Sequence, residues 1–126
     1  MEVLRPAGLT PVGPYSPAVR VGPWVFLSGQ IALNEQGELV RTTLEAEIAQ
    51  VLTNLKAVLK AANLEPIHLV KVSIFLTDMA FFPMVNAEYE KLFPDGRYPA
   101  RETVAVAALP KGARIEISGI AYDPRG

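Results

Sequence analysis

The sequence predicts an α+β domain with two helices laid on one face of a sheet. Three observations predict it. Leu44, Ile48, Val51, Leu52, Leu55, Val58, Leu59 and Ala62 recur at helical spacing. The apolar-rich run LVKVSIFL (Leu69 to Leu76) reads as a strand and is followed by a second helical stretch, FFPMVNAEYEKLF. Two strand-like runs, RETVAVAAL and RIEISGIAY, then close the chain. The order is strand, helix, strand, helix, strand, strand, with an earlier strand near Val19.

Each element has a local reason. The opening LTPVGPYSPAVRVG carries Pro11, Pro14 and Pro17. A residue before proline is pushed to extended backbone, so Thr10 and Ser16 are expected there, and Gly13 less strictly. Tyr15 then sits on a stiffened loop. WVFLSGQ (Trp24 to Gln30) reads as a strand ending at Ser28-Gly29, and LNEQGEL as a turn around Gly37. Thr42 with Glu45 three residues on makes a capping box for the first helix. Asn63 fits the position just past its end, with Pro66 beyond. Asp78 is a candidate cap for the second helix, whose Phe82, Val85, Tyr89 and Leu92 share a face. Pro94, Gly96 and Pro99 end it. The glycine in PKGA makes a hairpin between the last two strands the expected connection.

The chain has 126 residues, a single domain spanning residues 1–126 with one core. Half of it is apolar, a fifth is charged, and the net charge is −1 with the signs interspersed. No basic stripe or arm is present, which argues against a duplex nucleic-acid binder. There is no cysteine, hence no disulfide, thiol nucleophile or thiolate metal site. The start MEVLRPAGL is neither a signal nor a transit peptide, and no apolar run is long enough to span a bilayer. A cytoplasmic location is the expectation.

Two helices cover one sheet face only. In Leu69–Leu76, alternation points Val70, Val72, Ile74 and Leu76 one way and Leu69, Lys71, Ser73 and Phe75 the other. In the next strand Val104 and Val106 share a face, with Thr103, Ala105 and Ala107 opposite. The second face is small and mixed rather than strongly charged. Left open it would be a large semi-apolar patch. Further copies of the chain are expected to cover it.

The chemistry rests on few residues. His68 is the only histidine and lies in no nucleophile motif, so it reads as a surface or loop-packing residue. One histidine without cysteine makes a structural zinc site a poor fit. The glycines form neither G-x-G-x-x-G nor a P-loop, and no cofactor is expected. Arg101, held behind Pro99, offers a planar fork that matches a carboxylate bidentately; the partner is either an internal acid or a substrate. Glu116 lies between Ile115 and Ile117, on the opposite face from both. It is either a solvent-facing strand carboxylate or, on an inward sheet face, a partly desolvated acid or base with a raised pKa. With the hairpin turning near Pro110-Lys111, Ala105 would oppose Glu116. Arg101 would then lie roughly 13 Å along the strand, too far for a tight pair but near enough for both to approach a small substrate from either end. Partners meeting across a subunit boundary are the other possibility. Gly29 permits close backbone approach or simply ends a strand. Tyr15 either donates its hydroxyl or packs. Asn86 is polar in mid-helix, beside which Ser28 completes the candidate set.

GPYSPAV, FLSGQIAL, VKVSIFLTDMAFFPMVNAEYEKLF and PAR…VAVAALPKGARIEISGIA together resemble the reactive-intermediate deaminase family, the Rid or YjgF-type proteins. The resemblance covers nearly the full chain. Its most specific part combines Arg101, the LP-x-G-A turn and Glu116 in IEI. It implies a chorismate-mutase-like fold assembled as a homotrimer with clefts between subunits. It also implies hydrolysis of 2-enamines and 2-imines derived from amino acids to 2-keto acids and ammonia, without a cofactor. By this likeness Arg101 holds the substrate carboxylate and Glu116 orients or activates water. Tyr15, Ser28, Gly29, Asn86 and Thr103 line the cleft. Thr103 stands where many members carry cysteine. Glu102 stands where a small residue is common, and alternation turns it away from Arg101. The alternatives are a non-enzymatic metabolite-binding regulatory trimer, and an RNA-directed endoribonuclease or translation inhibitor. A chorismate mutase would want more cationic groups than Arg101 alone.

Overall fold

Six strands form one sheet: β1 (Glu2–Leu4), β2 (Ala18–Val21), β3 (Trp24–Gln30), β4 (Leu69–Leu76), β5 (Ala100–Ala105) and β6 (Ile115–Tyr122). The computed structural model describes residues 1–9, 11 and 13–126, so the expectation for Thr10 lies outside the described residues. The spatial order is β1-β2-β3-β6-β4-β5. Among the described residues only β4 and β5 run parallel. Helices α1 (Leu44–Ala61) and α2 (Phe82–Tyr89) lie on one face. Between that face and the helices is the core, with Val25, Leu55, Val58, Leu59, Val72, Ile74, Leu76, Ile115 and Ile117 wholly buried. The α+β expectation holds. No helix among the described residues is long and apolar enough to cross a membrane.

The expected hairpin between the last two strands does not form. β4 lies between β5 and β6. Helix α2 carries the chain back so that β5 runs parallel beside β4, as a strand–helix–strand crossover requires. The chain then crosses the end of β4 through a 3₁₀ turn at Pro110–Gly112, where Lys111 adopts φ 58°. β6 takes the other edge of β4 and pairs with β3 as well. This buries Ile115, Ile117 and Ala121 fully, which an outer strand beyond β5 would not. Glu116 therefore opposes Phe75, not Ala105, which pairs with Leu76.

Smaller departures have local causes. α1 is capped by Thr43, whose hydroxyl accepts from the Ala46 N–H at 3.0 Å, and not by a Thr42–Glu45 box. The helix starts one residue later, and Ala46 at the reciprocating position has no side chain to answer. Its other end is as expected: Asn63 adopts φ 58°, and the N–H groups of Asn63 and Leu64 return to Lys60 and Leu59. Asp78 caps a 3₁₀ turn, Met79–Phe81, that leads into α2. The pairing of β4 with β6 slips between Leu69 and Lys71, so Leu69 is buried and Val70 is exposed, the reverse of strict alternation. Val104, not Thr103, faces the open side of the sheet. β1 escaped the sequence reading because three residues on an edge are too short to show a period.

Polar contacts tie the two layers together. Glu47 of α1 is wholly buried and accepts from both the backbone N–H (2.7 Å) and the Nε (2.6 Å) of Arg114, the residue that leads into β6. Asn54, also buried, donates to the carbonyls of Ile31 and Leu33 just past β3. Asp123 receives Arg125 and Arg20, which hold its carboxyl down at about 2. Removing one member of a buried pair strands the other, so Glu47→Ala is expected to cost about 3 kcal/mol of stability in urea denaturation. A loss under about 1 kcal/mol would show that Arg114 finds water instead.

Candidate active site

Arg101 stands on the edge strand β5. Val72 pairs with Arg101 and Ile74 with Thr103, and neighbours in a parallel pair share a face, so both point to the helix side. There the guanidinium carbon lies 4.8 Å from the ring centre of Tyr89 and 5.6 Å from that of Phe82. Among the described residues Arg101 makes no hydrogen bond and no ion pair. Glu102 points to the other face, as expected. There it pairs with Lys71 at 2.7 Å and accepts from Ser73, contacts that hold its carboxyl below the usual range. The internal salt bridge that was one reading of Arg101 is therefore not formed. Its pocket is lined by Asn86, Tyr89, Glu90, Tyr98 and Pro99. Two buried side-chain atoms among the described residues lack a hydrogen-bond partner, the hydroxyls of Tyr89 and Thr103. Tyr89 lines the pocket of this cation, and Thr103 stands two residues further along the same face of β5.

Glu116 stands on the open face of β6. It shares a second pocket with Tyr15, Ser28, Gly29 and Pro110. Burial pushes its carboxyl pKa up. The pairing of β3 with β6 is interrupted between Leu27 and Gln30, an irregularity that sets Gly29 against Glu116. A Cβ on Gly29 would lie 2.6 Å from the Glu116 Cδ and 2.7 Å from its Oε2. Glycine is needed here because the carboxyl fills the space a side chain would take. Ser28 is spent on the loop above: its hydroxyl donates to the Ser16 carbonyl at 2.5 Å and its N–H to that of Pro17 at 2.9 Å. These bonds fasten the proline-braced segment that carries Tyr15.

The seven predicted residues thus form two groups. Arg101, Asn86 and Thr103 lie on the helix side, and Tyr15, Ser28, Gly29 and Glu116 line the other pocket. Within one chain Arg101 and Glu116 face opposite ways, so they cannot approach one small molecule from either end as the hairpin geometry suggested. Strand spacing and rise separate their Cα atoms by roughly 14 Å, across the thickness of the sheet as well. His68 is a local cap, its Nδ1 accepting from the Glu65 N–H at 2.9 Å. Among the described residues no cluster of His, Asp or Glu could hold a metal ion. Sequence reading missed the roles of Phe82 and Tyr89, which looked like ordinary core positions. It also missed Glu47, a charge on an otherwise apolar helix face that only a buried partner explains.

Known proteins place this pattern. The model of the endoribonuclease L-PSP family matches residues 6–123. A 2-iminobutanoate/2-iminopropanoate deaminase of Dermatophagoides farinae is 44% identical over 119 residues, 94% of this chain and 92% of that one. The structure of the Rid-family protein YyfA of Yersinia pestis superposes with a TM-score of 0.91 at 39% identity, covering 96% of this chain and 98% of that one. Escherichia coli TdcF with bound serine gives 0.87 at 34% identity over 97% and 98%. The chain belongs to the Rid/YjgF family, also described as endoribonuclease L-PSP.

Gly29 does not lie in the left-handed region, so alanine there is free of backbone strain. Gly29→Ala is expected to fold normally and to swing the Glu116 carboxyl out of its pocket. A crystal structure of the variant with Glu116 unmoved would contradict this.

Proposed function

We propose that this protein is a cofactor-independent hydrolase of reactive 2-enamines and 2-imines, releasing 2-keto acids and ammonia. The site is shared between neighbouring copies of a homotrimer. The observation that carries this reading is Arg101: a permanent cation with no hydrogen-bond or ion-pair partner for its side chain among the described residues, set over an open pocket. Such a fork suits a small carboxylate. The name of the D. farinae relative and the serine held by TdcF, itself a small carboxylate, support the substrate class.

Parity supports a shared site. Arg101 and Glu116 face opposite sides of one sheet, and two neighbouring copies would let one substrate meet both. The open face supports this. Val21, Trp24, Phe26, Val104 and Tyr122 are each 40 to 51% exposed, an apolar patch that neighbouring copies would bury. Glu116 lies on that same face and would be dried further by assembly.

The chemistry is short. Arg101 holds the carboxylate next to the C=N carbon and so positions that carbon. The imine enters as its iminium, protonated by solvent, and Glu116, ionised, takes a proton from water as its oxygen adds to the carbon, leaving a neutral amino nitrogen. The protonated Glu116 then passes its proton to the amino nitrogen. The C–N bond breaks, ammonia leaves, and loss of the hydroxyl proton completes the carbonyl. A 2-enamine enters the same path once its C3 is protonated. The family description names RNA cleavage as a second reading. Balanced charge and the engagement of His68 with Glu65 speak against it.

Because Glu116 must be ionised to accept the proton, the rate should rise with pH through a group above the ordinary 4.5. Stability runs the other way. A carboxyl whose pKa is raised on folding keeps its proton more tightly in the native state, so stability falls as pH rises from 4.5 through the raised value. Glu116→Gln should therefore be inactive yet at least as stable as the wild type at pH 7 by thermal melting.

The decisive experiment follows ammonia release from freshly generated 2-iminopropanoate. Arg101→Ala and Glu116→Gln should each lack activity alone. Refolded together, they should recover about a quarter of the wild-type rate, since mixed neighbours restore intact sites. No recovery, with mixed oligomers present, would place the site within one chain. Keto-acid binding without any turnover by the wild type would make the protein a metabolite-binding module.

A further inference from the structure

We infer that Phe82 and Tyr89 form an aromatic bracket that positions the Arg101 fork for a carboxylate. This deepens the reading of Arg101 given above and rests on it. An arginine is usually aimed by a second acid, but a second acid would occupy its N–H groups and cancel its charge. A ring face attracts the cation without taking any donor. That is the arrangement here. The guanidinium sits 4.8 Å from one ring centre and 5.6 Å from the other, and among the described residues none takes its donors.

The bracket is itself braced. Phe82 and Tyr89 stand at the two ends of α2, seven residues apart, on one face of the helix. Tyr89 is 4% exposed and packs on Phe93 at 5.2 Å, which packs on Tyr98 at 5.8 Å. Tyr98 shares the pocket with Arg101. The Tyr89 hydroxyl has no hydrogen-bond partner among the described residues, so it is not what holds the ring. Burial pushes its pKa up to about 12, against the pull of Arg101, so the ring stays neutral and the contact is not an ion pair.

The unpaired hydroxyl separates ring from polar group by experiment. Pyruvate serves as the probe, titrated calorimetrically against wild type, Tyr89→Phe and Tyr89→Leu. Imine turnover is followed in parallel. Tyr89→Phe keeps the ring face and should bind within about twofold of the wild type, with no loss of melting temperature. Tyr89→Leu should bind about tenfold more weakly, raising KM more than it lowers kcat. The Arg101 Nε–H proton resonance should be shifted upfield by the rings in the wild type and in Tyr89→Phe, and should lose much of that shift in Tyr89→Leu. Phe82→Leu, at a half-buried position, is the second variant should Tyr89→Leu fail to fold, and the same weakening is expected. Wild-type affinity in a folded leucine variant would overturn the bracket. So would a Tyr89→Phe variant as weak as Tyr89→Leu, since the hydroxyl would then carry the effect. A wild type that neither binds pyruvate nor turns over imine would sink the proposed function, while the Arg101 resonance still decides the bracket.

Discussion

Val72 meets Arg101 across one edge of β4, and Phe75 meets Glu116 across the other. The two positions on β4 differ by an odd number of residues. Successive side chains alternate faces, so the cation and the acid are forced to opposite sides of the sheet. The parallel crossover through α2 produces this parity, because it brings β5 back beside β4 and leaves the other edge for β6. The cation ends on the helix side at the sheet margin. The acid ends on the open face beside a bulge. The chain thereby carries two separate pockets, one at Arg101 and one at Glu116, and the sheet face that carries the acid also exposes apolar residues.

Each pocket is shaped by what surrounds its charged group rather than by a charged partner. Arg101 lies against two ring faces, and among the described residues none takes its side-chain donors. Glu116 is dried by its neighbours, with Gly29 yielding the volume the carboxyl occupies. Pairing either group within its own chain would neutralise its charge. The spare acid beside Arg101, Glu102, is taken by Lys71 and Ser73 on the far face. Glu102 does not meet the cation because alternation along β5 turns it to the opposite face.

The supports of the site lie some distance from it. Glu47 grips Arg114 two residues ahead of Glu116, and Asn54 holds the chain just beyond Gly29 and Gln30. Both are polar residues on the buried side of α1, where every donor and acceptor must find a partner. They attach the sheet to the helix by direction as well as by packing. A wholly apolar helix face would bury comparable area but would leave the strand ends less sharply placed.

The sequence by itself determined the elements. Helical periodicity marked α1, the apolar run marked β4 from Leu69 to Leu76, and WVFLSGQ marked β3, because these signals are local and repeat within a few residues. Motif likeness also picked out Arg101, Glu116 and Gly29, whose types are tied to chemistry. Only the tertiary structure decided that β6 lies between β3 and β4, that Leu69 and Val70 exchange faces, and that the Tyr89 ring lies 4.8 Å from the Arg101 guanidinium. Strand order is chosen by burial and crossover geometry, which join residues far apart in the chain, so the local pattern PKGA could suggest a hairpin that the core does not permit. The opposite facing of Arg101 and Glu116 comes from that same choice, since parity between two strands exists only once their common neighbour is known.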